Sequence, residues 1–169
     1  MGSAVEESRP DLEVPEEVSL RPIKCELNVL SRPDGSAILA QGNTVVMAAV
    51  YGPDESRLNR LQFEKVSFDA LFQSKSGSAA ETNTAYDSAI KSACIETLYP
   101  KVYARSDISL IVQEMQNRGS MLACAINAGC LALLNTGLEM KCLVGAVTSM
   151  IGPDGKVVID PDDEASEVQ

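Results

Sequence analysis

Hydrophobic and polar positions divide the chain into short alternating stretches first and two helix-like stretches later. Leu20 to Pro53 reads as strands broken by turns. Arg32-Pro33-Asp34-Gly35 places Pro and Gly where a turn wants them, and Gln41-Gly42-Asn43 supplies a second tight reversal. Thr44 to Tyr51 is β-branched and apolar with little alternation, which predicts a strand covered on both faces. Gly52 to Glu64 is a polar loop. Lys65 to Phe72 alternates again and is expected to pair back as an antiparallel strand.

The period then changes. After a small-residue loop around Lys75, apolar positions Ala85, Ala89, Ile90, Ala93, Cys94 and Leu98 recur at helical spacing, predicting a helix over 82–98 that Pro100 stops. Asp107 to Met115 reads as a strand. Ser120 to Leu134 is apolar nearly all round, which predicts a helix covered on more than one side, with Gly137 as its C-terminal cap. Leu143–Ile151 and Lys156–Ile159 predict a closing hairpin around Gly152-Pro153-Asp154-Gly155. The order is that of an α+β domain with helices packed on a mixed sheet. A helix apolar on all sides needs a further layer, and little chain follows Ile159 to make one. Either another protein covers that face, or a C-terminal portion is missing.

Charge sharpens the boundaries. The net charge is −10 over 169 residues, but it is not spread evenly. Residues 1–19 hold six acids and one base, and residues 160–169 hold five acids and no base, leaving 13 of each sign between. The expected organisation is an acidic disordered tail (1–19), a neutral domain (20–161) and an acidic tail or truncated remainder (162–169). No run approaches the ~20 apolar residues of a membrane span, and MGSAVEESRP has no apolar signal core. An intracellular protein without a membrane partner is expected.

The chain has no histidine, which excludes Ser-His-Asp and Cys-His catalysis and His-ligated metals. Cys25, Cys94, Cys124, Cys130 and Cys142 form no CxxC pair, and their odd number argues for free thiols. No metal or cofactor is expected. The chemically suggestive stretch is QNRGSMLACAINAG, residues 116–129, where Arg118, Gly119 and Ser120 stand before a helix whose first side chain is Met121. A helix start can seat an anion. The commoner reading of Ser120 is a plain N-cap, and of Arg118 a surface arginine.

Three stretches in order carry a family resemblance. They are LRPIKCELNVLSRPDGSAILAQGNTVVMAAVYGP, then GSMLACAINA, then Ile159-Asp160-Pro161. Together they resemble the RNase PH family, in the form of its eukaryotic RNA exosome ring subunits. The resemblance implies a fold like the second domain of ribosomal protein S5, in a ring of six such domains built from head-to-tail pairs around an RNA channel. It implies other RNase PH-like ring subunits, cap subunits and RNA as partners, and location in nucleus, nucleolus and cytoplasm.

Active members are phosphorolytic 3′–5′ exoribonucleases. Their helix start reads Gly-Thr-Arg or Gly-Ser-Arg, and the arginine clasps phosphate. Here Gly119, Ser120 and Met121 match it, so the guanidinium is lost unless Arg118, just before the helix, stands in for it. A charge-assisted bond contributes about 1.5–3 kcal/mol, so phosphate binding should weaken by roughly one to two orders of magnitude. The family's catalytic acid is also unmatched, because Asp162, Asp163 and Glu164 do not stand in its Thr-Asp-Met-Asn context. The family's RNA-binding arginines around the first long helix also have few counterparts, since Lys75 and Lys91 are the only bases between Gln73 and Leu98.

The resemblance thus implies a non-catalytic ring subunit supporting rRNA processing and mRNA turnover. Arg57, Arg60, Lys65 and Lys75 are candidate RNA contacts, against solvated surface charge as the alternative for each. A weak phosphorolytic or hydrolytic nuclease, acting alone or as a homodimer, is the second reading. A protein-interaction module without RNA contact is the third.

Overall fold

The structure is a computed structural model that describes residues 20–55, 66–75, 80–99, 101–152 and 157–161. Arg57, Arg60, Lys65 and both acidic terminal segments lie outside the described residues.

The main sheet has five strands. β1 (Ile23–Leu27), β2 (Gly35–Gln41) and β3 (Thr44–Glu55) form an antiparallel meander. Gly42 turns β2 into β3 with φ of 58°, a conformation that favours glycine. β4 (Ser67–Gln73) leads into α1 (Ala80–Ile95), which returns as β5 (Ser106–Gln116). The strand order is β1-β2-β3-β5-β4. β5 pairs antiparallel with β3, with irregularities at Val45/Val46 and Tyr51/Asp54.

β4 is therefore not the expected antiparallel partner of the preceding strand. It pairs parallel with β5, from Ser67↔Asp107 to Gln73↔Gln113. The reason is the helix: a crossover through α1 brings the chain back in the same direction. The alternation in 65–72 fixed the strand, while its partner depended on a segment some 40 residues later.

Both helices pack on one face of this sheet. Ala37, Leu39, Val46, Ala48, Val50, Ile108, Leu110, Val112, Phe68 and Phe72 are buried from the sheet side. Ile90, Cys94 and Leu98 meet them from α1 and its C-terminal turn, and Cys124, Ala125, Ala128, Ala132 and Leu133 from α2 (Met121–Thr136). Small residues on α2 let it lie close. An added Cβ on Gly129 would come within 3.0 Å of Leu110 Cδ2 and 3.5 Å of Cys94 Sγ.

β3 is not covered on both faces to the same degree. Val46, Ala48 and Val50 are buried, Val45 and Met47 are half-buried, and Tyr51 is 42% exposed. Its unbroken apolar run reflects a second face that is only partly shielded.

α2 ends as expected on Gly137, at φ of 77°, whose N–H donates to Leu134 O. The closing hairpin is shorter than expected. β6 (Ser149–Ile151) pairs with β7 (Val157–Ile159), but 142–148 forms no strand. That segment is held against α2 instead. Asn127 donates from Nδ2 to Ala146 O (2.9 Å), and Ala146 N–H donates back to Asn127 Oδ1 (2.7 Å). One side-chain amide replaces a strand partner for this residue. No described helix is long and apolar enough to cross a membrane.

Candidate anion site at the start of the second helix

Four segments distant in sequence meet where β5 hands over to α2. The connection is Asn117–Ser120. The β2–β3 hairpin contributes Gln41 and Thr44, the segment before β1 contributes Arg21, and the segment after β7 contributes Asp160 and Pro161.

The connection makes a left-handed turn, with φ of 93° at Gly119 and 55° at Ser120. Such a value is uncommon for a serine and needs support from its surroundings. Thr44, fully buried, provides some: its hydroxyl donates to Gly119 O (2.7 Å) and accepts from Arg118 N–H (3.1 Å). Asn117 Oδ1 accepts from Gly119 N–H at 3.1 Å, a local turn that Asn favours.

Ser120 stands at the N-cap position, yet its side chain makes no capping bond. This corrects the plain N-cap reading. The left-handed backbone directs its Oγ to Pro161 O instead, at 3.2 Å. Its carbonyl still accepts from Cys124 N–H (3.1 Å), so α2 starts here. The first turn has no acidic side chain.

Met121 does not face the seat as a failed ligand. It is 4% exposed and belongs to the hydrophobic core. Arg118 is an exposed residue, as expected, and its backbone builds the turn. Lys75 is exposed at the far edge strand, where its N–H reaches Glu114 Oε2 at 3.4 Å.

The groups that composition and spacing missed are Arg21 and Asp160. They form an ion pair at 2.5 Å between Nη2 and Oδ1, with side chains 13% and 0% exposed. Arg21 Nε (2.9 Å) and its own backbone N–H (3.1 Å) both donate to Asp160 Oδ2. The guanidinium also donates from Nη1 to Arg118 O (3.1 Å) and from Nη2 to Gly119 O (3.5 Å). Each residue sits before a proline in a motif that carried the family resemblance, Leu20-Arg21-Pro22 and Ile159-Asp160-Pro161. That pairing of a cation and an anion was the signal available, but Asp160 was counted with the acidic tail.

Arg21 holds the Asp160 carboxyl well below the usual carboxylate range. Burial opposes this, and the Gln41 side chain, the Arg21 N–H and the Ser120 hydroxyl add to the lowering. Gln41 is 2% exposed, and its amide oxygen has no hydrogen-bond partner among the described residues. Cys124, in the first turn of α2, is pushed up to about 11 by burial, against the lowering pull of Arg21. It is a packed thiol and not a poised nucleophile. No described cluster of His, Cys, Asp and Glu could hold a metal ion.

A βαβ unit on an antiparallel meander, with a left-handed Gly-Ser turn opening a buried helix, defines an α+β domain of the 3′ exoribonuclease type. Residues 19–139 match the 3′ exoribonuclease family, domain 1 (RNase PH), and the chain belongs to that family. It is 38% identical over 146 residues to the Arabidopsis thaliana protein named exosome complex exonuclease RRP46 homolog, covering 84% of this chain and 59% of that protein. The rice homologue of the same name is 38% identical over 160 residues, covering 92% and 65%. The crystal structure of rice Rrp46 superposes with a TM-score of 0.84 at 34% identity, covering 89% of this chain and 72% of that one. The Archaeoglobus fulgidus exosome with RNA bound to the active site shares the fold, with a TM-score of 0.74 at 18% identity, covering 89% and 70%. The chain spans about three-fifths of the length of these two plant relatives.

Proposed function

We propose that the chain is a non-catalytic ring subunit of an RNA exosome, supporting 3′-to-5′ RNA processing and degradation from a scaffold descended from a phosphorolytic enzyme. The observation that carries this reading is the state of the anion turn. Its Gly-Ser backbone is retained, but the position that holds the phosphate-clasping arginine in active members is Met121, packed in the core. The guanidinium of Arg21, which is held against the turn, is committed to Asp160 and to two backbone carbonyls. Phosphorolysis needs a held phosphate and acid–base help, and no cation stands at the position that supplies the first in active members. Arg118, exposed in the turn, is the cation left to test, by Arg118→Ala in the RNA-shortening assay.

The names of the plant relatives support assembly with other RNase PH-type subunits and with RNA. The proposed arrangement is a head-to-tail hetero-oligomer with cap subunits, working in nucleus, nucleolus and cytoplasm on rRNA and mRNA. Lys75, Arg57, Arg60 and Lys65 are the proposed RNA contacts.

The direct test incubates purified protein with 5′-labelled single-stranded RNA, with and without inorganic phosphate. No phosphate-dependent shortening is expected. Shortening with release of nucleoside diphosphates would establish the nuclease reading instead. A pull-down from cells should recover other RNase PH-type subunits, and recovery of this chain alone would remove the ring assignment.

A further inference from the structure

The Arg21–Asp160 pair joins residues 139 apart in sequence, close to the two ends of the described chain. Its arrangement is more specific than charge pairing requires. One edge of the guanidinium meets the carboxylate through Nε and Nη2, while Nη1 and Nη2 reach the successive carbonyls of Arg118 and Gly119. Those carbonyls flank the left-handed Gly119–Ser120 turn. On the other side of the turn, Ser120 Oγ donates to the carbonyl of Pro161, the residue after Asp160. Both partners therefore grip the same turn, Arg21 through its carbonyls and the Asp160–Pro161 segment through its serine. A planar fork can serve a carboxylate and two carbonyls at once, whereas an ammonium is a point charge with no fixed fork.

We propose that Arg21 and Asp160 are the positioning residues of the Arg118–Ser120 turn: Asp160 aims the guanidinium, and the guanidinium fixes the two carbonyls that hold the turn in its left-handed form. Asp160 lies beyond the stretch that matches the family domain, residues 19–139. This inference goes beyond the ring-subunit reading and does not rest on it, since it concerns the order of a turn in the pure protein.

The test is hydrogen exchange on the 169-residue chain and its variants, comparing amides of the turn and first helical residues with those of β3 and β5. In Asp160→Ala, exchange at the turn should rise at least ten-fold while the β3 and β5 amides keep their protection. The variant leaves a carboxylate-sized space facing Arg21, Gln41 and Ser120. Formate at tens of millimolar should therefore reverse the rise several-fold, and chloride at equal ionic strength should not. Arg21→Ala should show the same rise with no response to formate. Arg21→Lys keeps a positive charge but not the fork, and should behave like Arg21→Ala.

If the turn and the strands lose protection together, the pair is a general stabiliser and the proposal fails. It also fails if Arg21→Lys matches the parent chain or if formate rescues Arg21→Ala equally. Should Asp160→Ala not fold, the isosteric Asp160→Asn replaces it. Unchanged exchange at the turn in that variant overturns the proposal.

Discussion

Met121 shows how one position carries two meanings. As a sequence feature it stands where the family resemblance implies a phosphate-binding arginine, and in the structure it is a core residue, 4% exposed, at the first position of α2. The two meanings give one prediction. Met121→Arg should not restore phosphate-dependent RNA shortening. It should lower stability to urea by about 1–3 kcal/mol, because a longer charged side chain must displace packed neighbours. Asp160 supports a second prediction, on pH. Its folded-state pKa lies below the unfolded value of about 3.9, so its contribution is complete above that value and is lost as pH falls through the folded one. Breaking a buried pair by removing one charge costs about 3–5 kcal/mol. The stability gap between the parent chain and Asp160→Asn should have that size from pH 5 to 7 and close as pH drops from about 4 towards 2. Taking the difference removes the titration of the other carboxylates, which the two proteins share. A gap that stays constant through that range would mean that the ion pair is not what stabilises.

At the scale of elements, the tightest dependence is between β2 and α2. Gly35 opens β2 directly beneath the last turn of α2, where an added Cβ would meet Thr136 Cγ2 at less than contact distance and Ala132 O at 2.5 Å. The second obstacle is backbone, which cannot rotate aside. Gly35→Ala should therefore destabilise by about 1–3 kcal/mol, read from chemical denaturation, although alanine suits a strand better than glycine does. The sequence supplied the turn around Gly35 but not this contact, which lies about 100 residues away. The same division runs through the fold. Local period and punctuation placed β2, β3, β5, α2 and its Gly137 cap, because those signals act within a few residues. The parallel pairing of β4, the strap at 142–148 and the Arg21–Asp160 pair were not legible, because each depends on what a distant segment does. Asn127 makes the point: a polar residue in an apolar helix reads as an exception, and its role emerges only when Ala146 arrives to pair with it. In the site, the Gly-Ser-Met stretch was legible as the opening of a helix, whereas its left-handed turn and the side chains that hold it were not.

For the whole molecule, the unresolved question of the sequence was what covers a helix that is apolar all round. The sheet takes one side of α2, α1 another, and the strap at 142–148 part of a third. Between the strap and β1 the described residues leave an apolar groove of about 220 Å³, lined by Ile23, Leu39, Cys130, Leu131, Leu134 and Leu143 among others. Ile23, Leu134 and Leu143 are 54%, 47% and 65% exposed, far from the burial expected of a finished core. The chain spans about three-fifths of the length of its plant relatives. An open groove means that large apolar side chains of the same type contribute very differently according to which side of α2 they touch. Leu133 is fully buried towards the sheet, and Leu133→Ala should cost about 2–5 kcal/mol. Leu143→Glu, on the open side, should change the unfolding free energy by less than about 0.5 kcal/mol. It should also lower the fluorescence of a dye that reports exposed apolar surface and reduce self-association at high concentration, since large uncovered apolar patches promote contact between molecules. If Leu143→Glu instead destabilises the isolated chain as much as Leu133→Ala does, the groove is closed in solution by the chain itself, and the apolar circumference of α2 needs no further cover.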